Sequence, residues 1–114
     1  MSECIFCKIV AGDIPSDIVH EGEHVVAFRD VNAVAPTHVQ VVPRMHVSRI
    51  DEFDATRDSA WLTELFEVAN RVAREEGLDK GYRLVVNNGA LAGQSVLHVH
   101  LHVIGGRQMG WPPG

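Results

Sequence analysis

Basic side chains are scarce in this 114-residue chain: ten Lys and Arg stand against fifteen Asp and Glu, for a formal net charge of −5 with histidine neutral. Nucleic-acid surfaces neutralise many phosphates with Lys and Arg, so this balance excludes a broad one and leaves any anionic ligand to local donors. Cysteine occurs only as Cys4 and Cys7, too few for the disulfide framework of a small secreted domain. No run approaches the ~20 consecutive apolar residues of a membrane span. The stretch around Glu3 also lacks the basic start and apolar segment of a secretory signal. The expectation is a soluble, cytoplasmic protein with neither membrane nor nucleic acid as partner. Internal repeats, low-complexity tracts and linkers are missing too, so 1–114 reads as a single domain. It lies near the lower end of comfortable size, where dimerisation would help.

Histidine is what the chain has in quantity. Seven are present, three of them in Val96-Leu97-His98-Val99-His100-Leu101-His102-Val103-Ile104. A strand turns successive side chains to opposite faces, so the three imidazoles share one face and the aliphatic residues Leu97, Val99, Leu101 and Val103 the other. Imidazoles two residues apart lie roughly 6 to 7 Å apart, close enough for one bound group to touch two of them. Polar residues on a solvated strand face would account for one such histidine but poorly for three. Imidazole is a nucleophile, proton donor or metal ligand near neutral pH.

The coarse pattern is α+β. Ile5 to Val10 reads as a short helical turn ending at Gly12, and Ile18–Glu21 with His24–Arg29 as a hairpin through Gly22. His38–Val42, closed by Pro43, reads as a third strand. Asp54 and Asp58 compete as N-caps of one long helix whose stripe runs through Trp61, Leu65, Val68, Ala69 and Val72 to a stop at Gly77. Tyr82–Val86 and Val96–Ile104 complete a five-stranded, largely antiparallel sheet. The helix carries Trp61, Leu62, Leu65 and Phe66, more than one stripe needs, so with the strand starting at Tyr82 it is expected to form a homodimer surface. Between the last two strands lies Asn87-Asn88-Gly89-Ala90-Leu91-Ala92-Gly93-Gln94-Ser95. Its glycines let backbone N–H groups approach a phosphate, while Gln94 and Ser95 add neutral donors.

The spacing His-φ-His-φ-His-φ-φ, with φ apolar, resembles the signature of the histidine triad (HIT) family of nucleotide hydrolases and transferases. Gly93-Gln94-Ser95-Val96 before it, and Gly105-Gly106-Arg107-Gln108-Met109 with Trp111-Pro112-Pro113-Gly114 after it, resemble the Hint branch of purine nucleoside phosphoramidases. Ile5-Phe6-Cys7-Lys8-Ile9, Ala27-Phe28-Arg29-Asp30 and Ala35-Pro36-Thr37-His38 follow the same pattern in the same order, so the resemblance covers nearly the whole chain. It implies a HIT-like fold with one long and one short N-terminal helix. It also implies hydrolysis of purine nucleoside 5′-phosphoramidates, or of aminoacyl adenylates, to AMP or GMP. His100 would be the nucleophile of a covalent nucleotidyl intermediate, His102 a donor to phosphate or leaving group, His38 part of the polar wall, and Ser95 a proton relay. Ile5, Phe6, Ile9, Phe28, Asp30 and Val31 would take the nucleoside, Asp30 through the ribose hydroxyls; Asn87, Gly93, Gln94, Ser95 and Val96 would surround the phosphate, ribose or leaving group.

Two further points stay open on the sequence. Cys4-x-x-Cys7 is half a zinc site, a redox pair or two small buried apolar residues; the thioredoxin-like βαβ context of a redox pair is missing. By the resemblance, His46 and His98 supply the remaining ligands of a structural zinc, and no organic cofactor is expected. Alternatives to the phosphoramidase are a dinucleoside polyphosphate hydrolase, a zinc-stabilised nucleotide sensor with little turnover, and a catalytic zinc held by the triad itself. Where animal Hint proteins carry His in the tail this chain has Gly110, which bears on leaving-group preference; Trp111 remains as a cross-dimer wall. His20 and His24, in the hairpin, receive no role.

Overall fold

The structure, a computed structural model, describes residues 3–114. Its first helix, α1 (Ile5–Ala11), starts from Cys4 as N-cap, the Sγ accepting the Cys7 N–H at 3.4 Å. It stops at Gly12, whose φ of 80° lets its N–H turn back to the Ile9 carbonyl. The strands are β1 (Ile18–Glu21), β2 (Val25–Arg29), β3 (Thr37–Pro43), β4 (Tyr82–Val85) and β5 (Leu101–Gly105). They form one sheet in the order β1-β2-β3-β5-β4, with every ladder antiparallel. This is the expected α+β architecture.

Helix α2 (Ser59–Glu75) follows its apolar period, burying Trp61, Leu65, Val68, Ala69, Val72 and Ala73. That stripe packs on Val25, Ala27, Val39, Val41, Leu101 and Val103 of the three central strands, forming the main core. The opposite sheet face carries a second, smaller cluster of Phe6, Val26, Phe28 and Val42, with Ile9 and Val10 of α1 against it. All seven residues of β3 are buried, because α2 covers one of its faces and the second cluster with the site residues covers the other. Asp58 is the N-cap residue of α2, yet its carboxylate accepts the Asp54 N–H at 2.8 Å and a two-pronged Arg57 guanidinium. Asp54 instead accepts the N–H groups of Thr56 and Arg57, so the two candidate caps divide the preceding turn between them.

Two expectations are corrected. The last strand starts at Leu101, not Val96: Pro43 ends β3, and beyond it the chain bonds through Val99 N–H to the Val47 carbonyl at 2.8 Å. His98 uses a ring nitrogen, not its backbone, on the Pro43 carbonyl. Leu97 accordingly leaves the apolar face and is 61% exposed, while Val99, Leu101 and Val103 stay in the core. The apolar surplus of α2 is also smaller than the sequence suggests. Trp61 and Leu65 are buried, Leu62 packs partly on the core, and of the four only Phe66 lies outside.

Candidate active site and metal centre

The chain crosses the second sheet face with alternate side chains from β3 and β5. On β3 these are His38 and Gln40; on β5, Gln40 faces His102 in the register, and His100 lies just before the strand. The rings of His100 and His102 have centroids 5.0 Å apart, as do those of His38 and His102. Phe6 of α1 meets the His100 ring edge-on at 5.1 Å. A cleft of about 350 Å³ opens here, lined by Ile5, Phe6, Asp30, Val31, Asn32, Gln40, Ser95, Val96, His100 and His102. No Lys or Arg is among its described lining residues.

Hydrogen bonds assign the tautomers. His100 Nδ1 is 2.8 Å from the His98 carbonyl, and a carbonyl only accepts, so Nδ1 carries the hydrogen and Nε2 keeps its lone pair. Burial lowers the His100 pKa against the raising effect of that bond and of Asp30, so the ring is neutral at pH 7. His38 Nδ1 accepts the Val34 N–H at 3.2 Å, which puts its hydrogen on Nε2. That N–H is shared between His102 Nδ1 at 2.8 Å and Asp30 Oδ2 at 3.3 Å. His102 is held neutral by burial and then by the His100 and His38 rings, with its pKa lowered to about 4. With Nδ1 accepting, its Nε2–H is the free donor. The two histidines flanking the cleft thus offer complementary atoms, a lone pair and an N–H.

Asp30 is fixed by Asn32 N–H on Oδ1 at 2.8 Å and Gln40 Nε2 on Oδ2 at 2.7 Å. Ser95 and Val96 stand at the mouth of the cleft after a loop shaped by Gly89 (φ 90°) and Gly93 (φ 89°). The Gln94 side chain lies within that loop: Oε1 accepts the Gly89 N–H, and Nε2 donates to the Ser48 and Val96 carbonyls. Its amide therefore sets loop shape and does not line the cleft. Phe28 and Ile9 lie beneath Phe6 in the second cluster, Phe28 edge-on to it at 5.4 Å. Asn87 follows β4 and Gly93 closes the loop's 3₁₀ turn, both outside the cleft lining.

Cys4, Cys7, His46 and His98 converge next door, each with a donor atom within 4.8 Å of the others. His98 Nδ1 lies 3.4 Å from Cys4 Sγ, 3.6 Å from Cys7 Sγ and 3.2 Å from His46 Nδ1, and Cys7 Sγ is 3.3 Å from His46 Nδ1. Tetrahedral zinc with Zn–N near 2.0 to 2.1 Å and Zn–S near 2.3 Å sets its ligand atoms roughly 3.3 to 3.8 Å apart. The cluster fits that geometry. His98 Nε2 donates to the Pro43 carbonyl at 2.8 Å, leaving Nδ1 unprotonated toward the cluster. Burial lowers the His98 pKa to about 4, which keeps that nitrogen available, and raises the Cys4 thiol, a preference a bound cation reverses. His98 thus serves both centres with different atoms, since its ring faces the metal cluster while its carbonyl orients His100.

Residues 11–109 match the HIT domain family. The chain belongs to that family. This HIT-domain protein is 46% identical over 118 residues to a "14 kDa zinc-binding protein" of Zea mays, covering 99% of this chain and 89% of the relative. It is 44% identical to the protein of the same description from Brassica juncea, over 98% of this chain and all of the relative. Among solved structures it superposes on a HIT family hydrolase from Legionella pneumophila with a TM-score of 0.95 and 45% identity, over 98% of this chain and 100% of the other. A histidine triad protein from Clostridium difficile gives 0.90 and 37% identity, over 96% of each chain.

Sequence reasoning for this HIT-domain protein missed Gln40 and Asn32 in the cleft. Asn32 is reached by an Asx turn from Asp30 that its spacing announces. Gln40 has a plainer signal: a lone amide in Val39-Gln40-Val41-Val42, where the alternation needs a polar residue only if that face holds something polar. Among the described residues no helix is long and apolar enough to cross a membrane.

Proposed function

We propose that this HIT-domain protein hydrolyses purine nucleoside 5′-phosphoramidates, or mixed anhydrides such as aminoacyl adenylates, releasing AMP or GMP. The reading rests on one observation, the Nδ1–H of His100 tied to the His98 carbonyl at 2.8 Å, because it leaves a neutral Nε2 lone pair in the cleft. Nε2 attacks phosphorus, the P–N or P–O bond to the leaving group breaks, and that group departs with a proton relayed through Ser95 or His102. Water then attacks the phosphorus and returns its proton to the relay residue, the P–Nε2 bond breaks, and the nucleoside monophosphate leaves with His100 restored. The His102 N–H stabilises charge on the phosphoryl oxygens in both steps. Asp30 holds the sugar, Ile5, Phe6 and Val31 the base, and Ser95 with Val96 the phosphate.

Cys4, Cys7, His46 and His98 hold a structural zinc in this reading, supported by the donor spacing and by the two plant relatives. The single domain acts in the cytoplasm as a homodimer, with exposed Phe66 of α2 and Tyr82 of β4 on the shared face. The experiment is release of AMP from an adenosine phosphoramidate bearing a fluorogenic amine. His100→Ala is expected to lose at least ~10³-fold in kcat while AMP affinity stays within a few-fold, since the binding residues remain. A variant within a few-fold of wild type in rate removes the nucleophile assignment.

A further inference from the structure

Gln40 is 7% exposed, and its two amide atoms have different fates. Nε2 donates to Asp30 Oδ2 at 2.7 Å, which fixes the amide orientation, since a carboxylate oxygen already receiving donors cannot donate in return. Oε1 is buried without a hydrogen-bond partner among the described residues. An acceptor left so in a protein interior costs free energy that a Leu or Val at the same place would avoid. The residue lines the cleft while Oε1 itself lies sealed just beneath its surface, so a group bound there reaches that atom through a local shift of the amide or its cover on binding.

Strand register says which part of a ligand that is. Gln40 pairs with Phe28 of β2 on one side and with His102 of β5 on the other. Across this face the order is therefore aromatic floor, Gln40, imidazole, spread over about 10 Å at ordinary strand spacing. In the nucleotide reading proposed above, on which this inference rests, the base lies at Phe6, which rests on Phe28, and the phosphorus at His100. Gln40 then lies under the sugar, beside the carboxylate assigned to it. A sugar offers hydroxyl donors at that place and no cation.

We propose that Gln40 Oε1 accepts a hydrogen bond from a ribose hydroxyl, so that Gln40 and Asp30 together read the sugar diol. Asp30 brings the charge; Gln40 brings a neutral acceptor and, through Nε2, holds the carboxylate in place. The ligand class is a ribonucleotide with both hydroxyls free.

The test is a binding cycle by calorimetry with AMP, 2′-deoxy-AMP and 3′-deoxy-AMP on wild-type protein, Gln40→Leu and Gln40→Met. Two apolar variants guard against one that does not fold, and thermal melting checks both. Wild type is expected to bind AMP roughly three- to tenfold more tightly than one deoxy analogue on account of this bond alone. In the variants AMP weakens by that factor, while the analogue lacking the hydroxyl read by Gln40 does not weaken further. Loss of positioning of Asp30 would blunt the response to removing either hydroxyl, so it does not mimic a coupling confined to one analogue. Equal weakening of all three, or no weakening of any, overturns the assignment. Wild type that binds none of the three overturns the nucleotide reading itself, and this assignment with it.

Discussion

At the scale of single residues, two imidazoles of the same chemical type are made into opposite reagents by what their far nitrogens touch. The His98 carbonyl turns His100 into a lone pair, and a relay from Val34 N–H through His38 turns His102 into a donor. On the proposed function, His102→Ala removes a donor and leaves the covalent route, at an expected cost of about 10²- to 10³-fold in kcat with KM little changed. That is a smaller loss than at His100, and steady-state rates on the phosphoramidate measure it. His38→Ala is expected to act through His102, since it frees the Nδ1 whose occupation sets the tautomer. Equal losses at positions 100 and 102 would mean that the lone-pair and donor roles are not divided in this way.

Among the elements, α2 is fastened to the sheet at its C-terminal end by more than its apolar stripe. Glu76, just past the helix, takes Arg29 of β2 in a two-pronged bond at 3.0 and 2.9 Å and the Thr37 hydroxyl of β3 at 3.2 Å. The Arg29 bonds hold the Glu76 carboxyl below its ordinary range, against burial, so the contribution is complete above the unfolded value near 4.3 and is lost as pH falls through the folded one. With side-chain exposures of 38% and 25% for Arg29 and Glu76, screening limits the effect. Glu76→Gln is expected to cost about 1 kcal/mol at pH 7, a few degrees in Tm, with the gap to wild type closing below pH ~4. Melting curves from pH 3 to 7 check both size and sign; a gap that widens in acid contradicts the ion pair. The elements themselves were largely legible in sequence, because helix stripe, strand alternation and glycine stops are local signals. Where the reading went astray, at Val96–His100 and at Leu62, the deciding partners were distant ones: the Pro43 and Val47 carbonyls, and the core against which Leu62 packs. Gln40 was hidden for a related reason, since an amide in a strand takes on meaning only once Asp30 is beside it.

For the whole molecule, the metal cluster joins three segments that lie far apart in the sequence. Cys4 caps α1 and Cys7 lies within it, His46 follows β3, and His98 precedes β5. Protein purified without chelator is expected to contain about one zinc per chain, and Cys7→Ser to lower Tm by about 10 °C or more while surviving folded protein keeps most of its turnover. Metal analysis and calorimetry decide this; zinc-free protein with an unchanged Tm in the variant refutes a structural metal. Turnover that survives a strong chelator at low temperature separates the His100 route from zinc catalysis at the triad.

The same cluster has a consequence for synthesis. The two thiols leave the ribosome 94 and 91 residues ahead of His98, their most buried companion. The meander of β1, β2 and β3 can pair while translation continues, but the thiol pair cannot close its coordination until His98 is made. Throughout that interval it is open to oxidants and to competing soft metals, so the yield of correctly loaded protein depends on elongation rate and on the redox poise of the expressing cell.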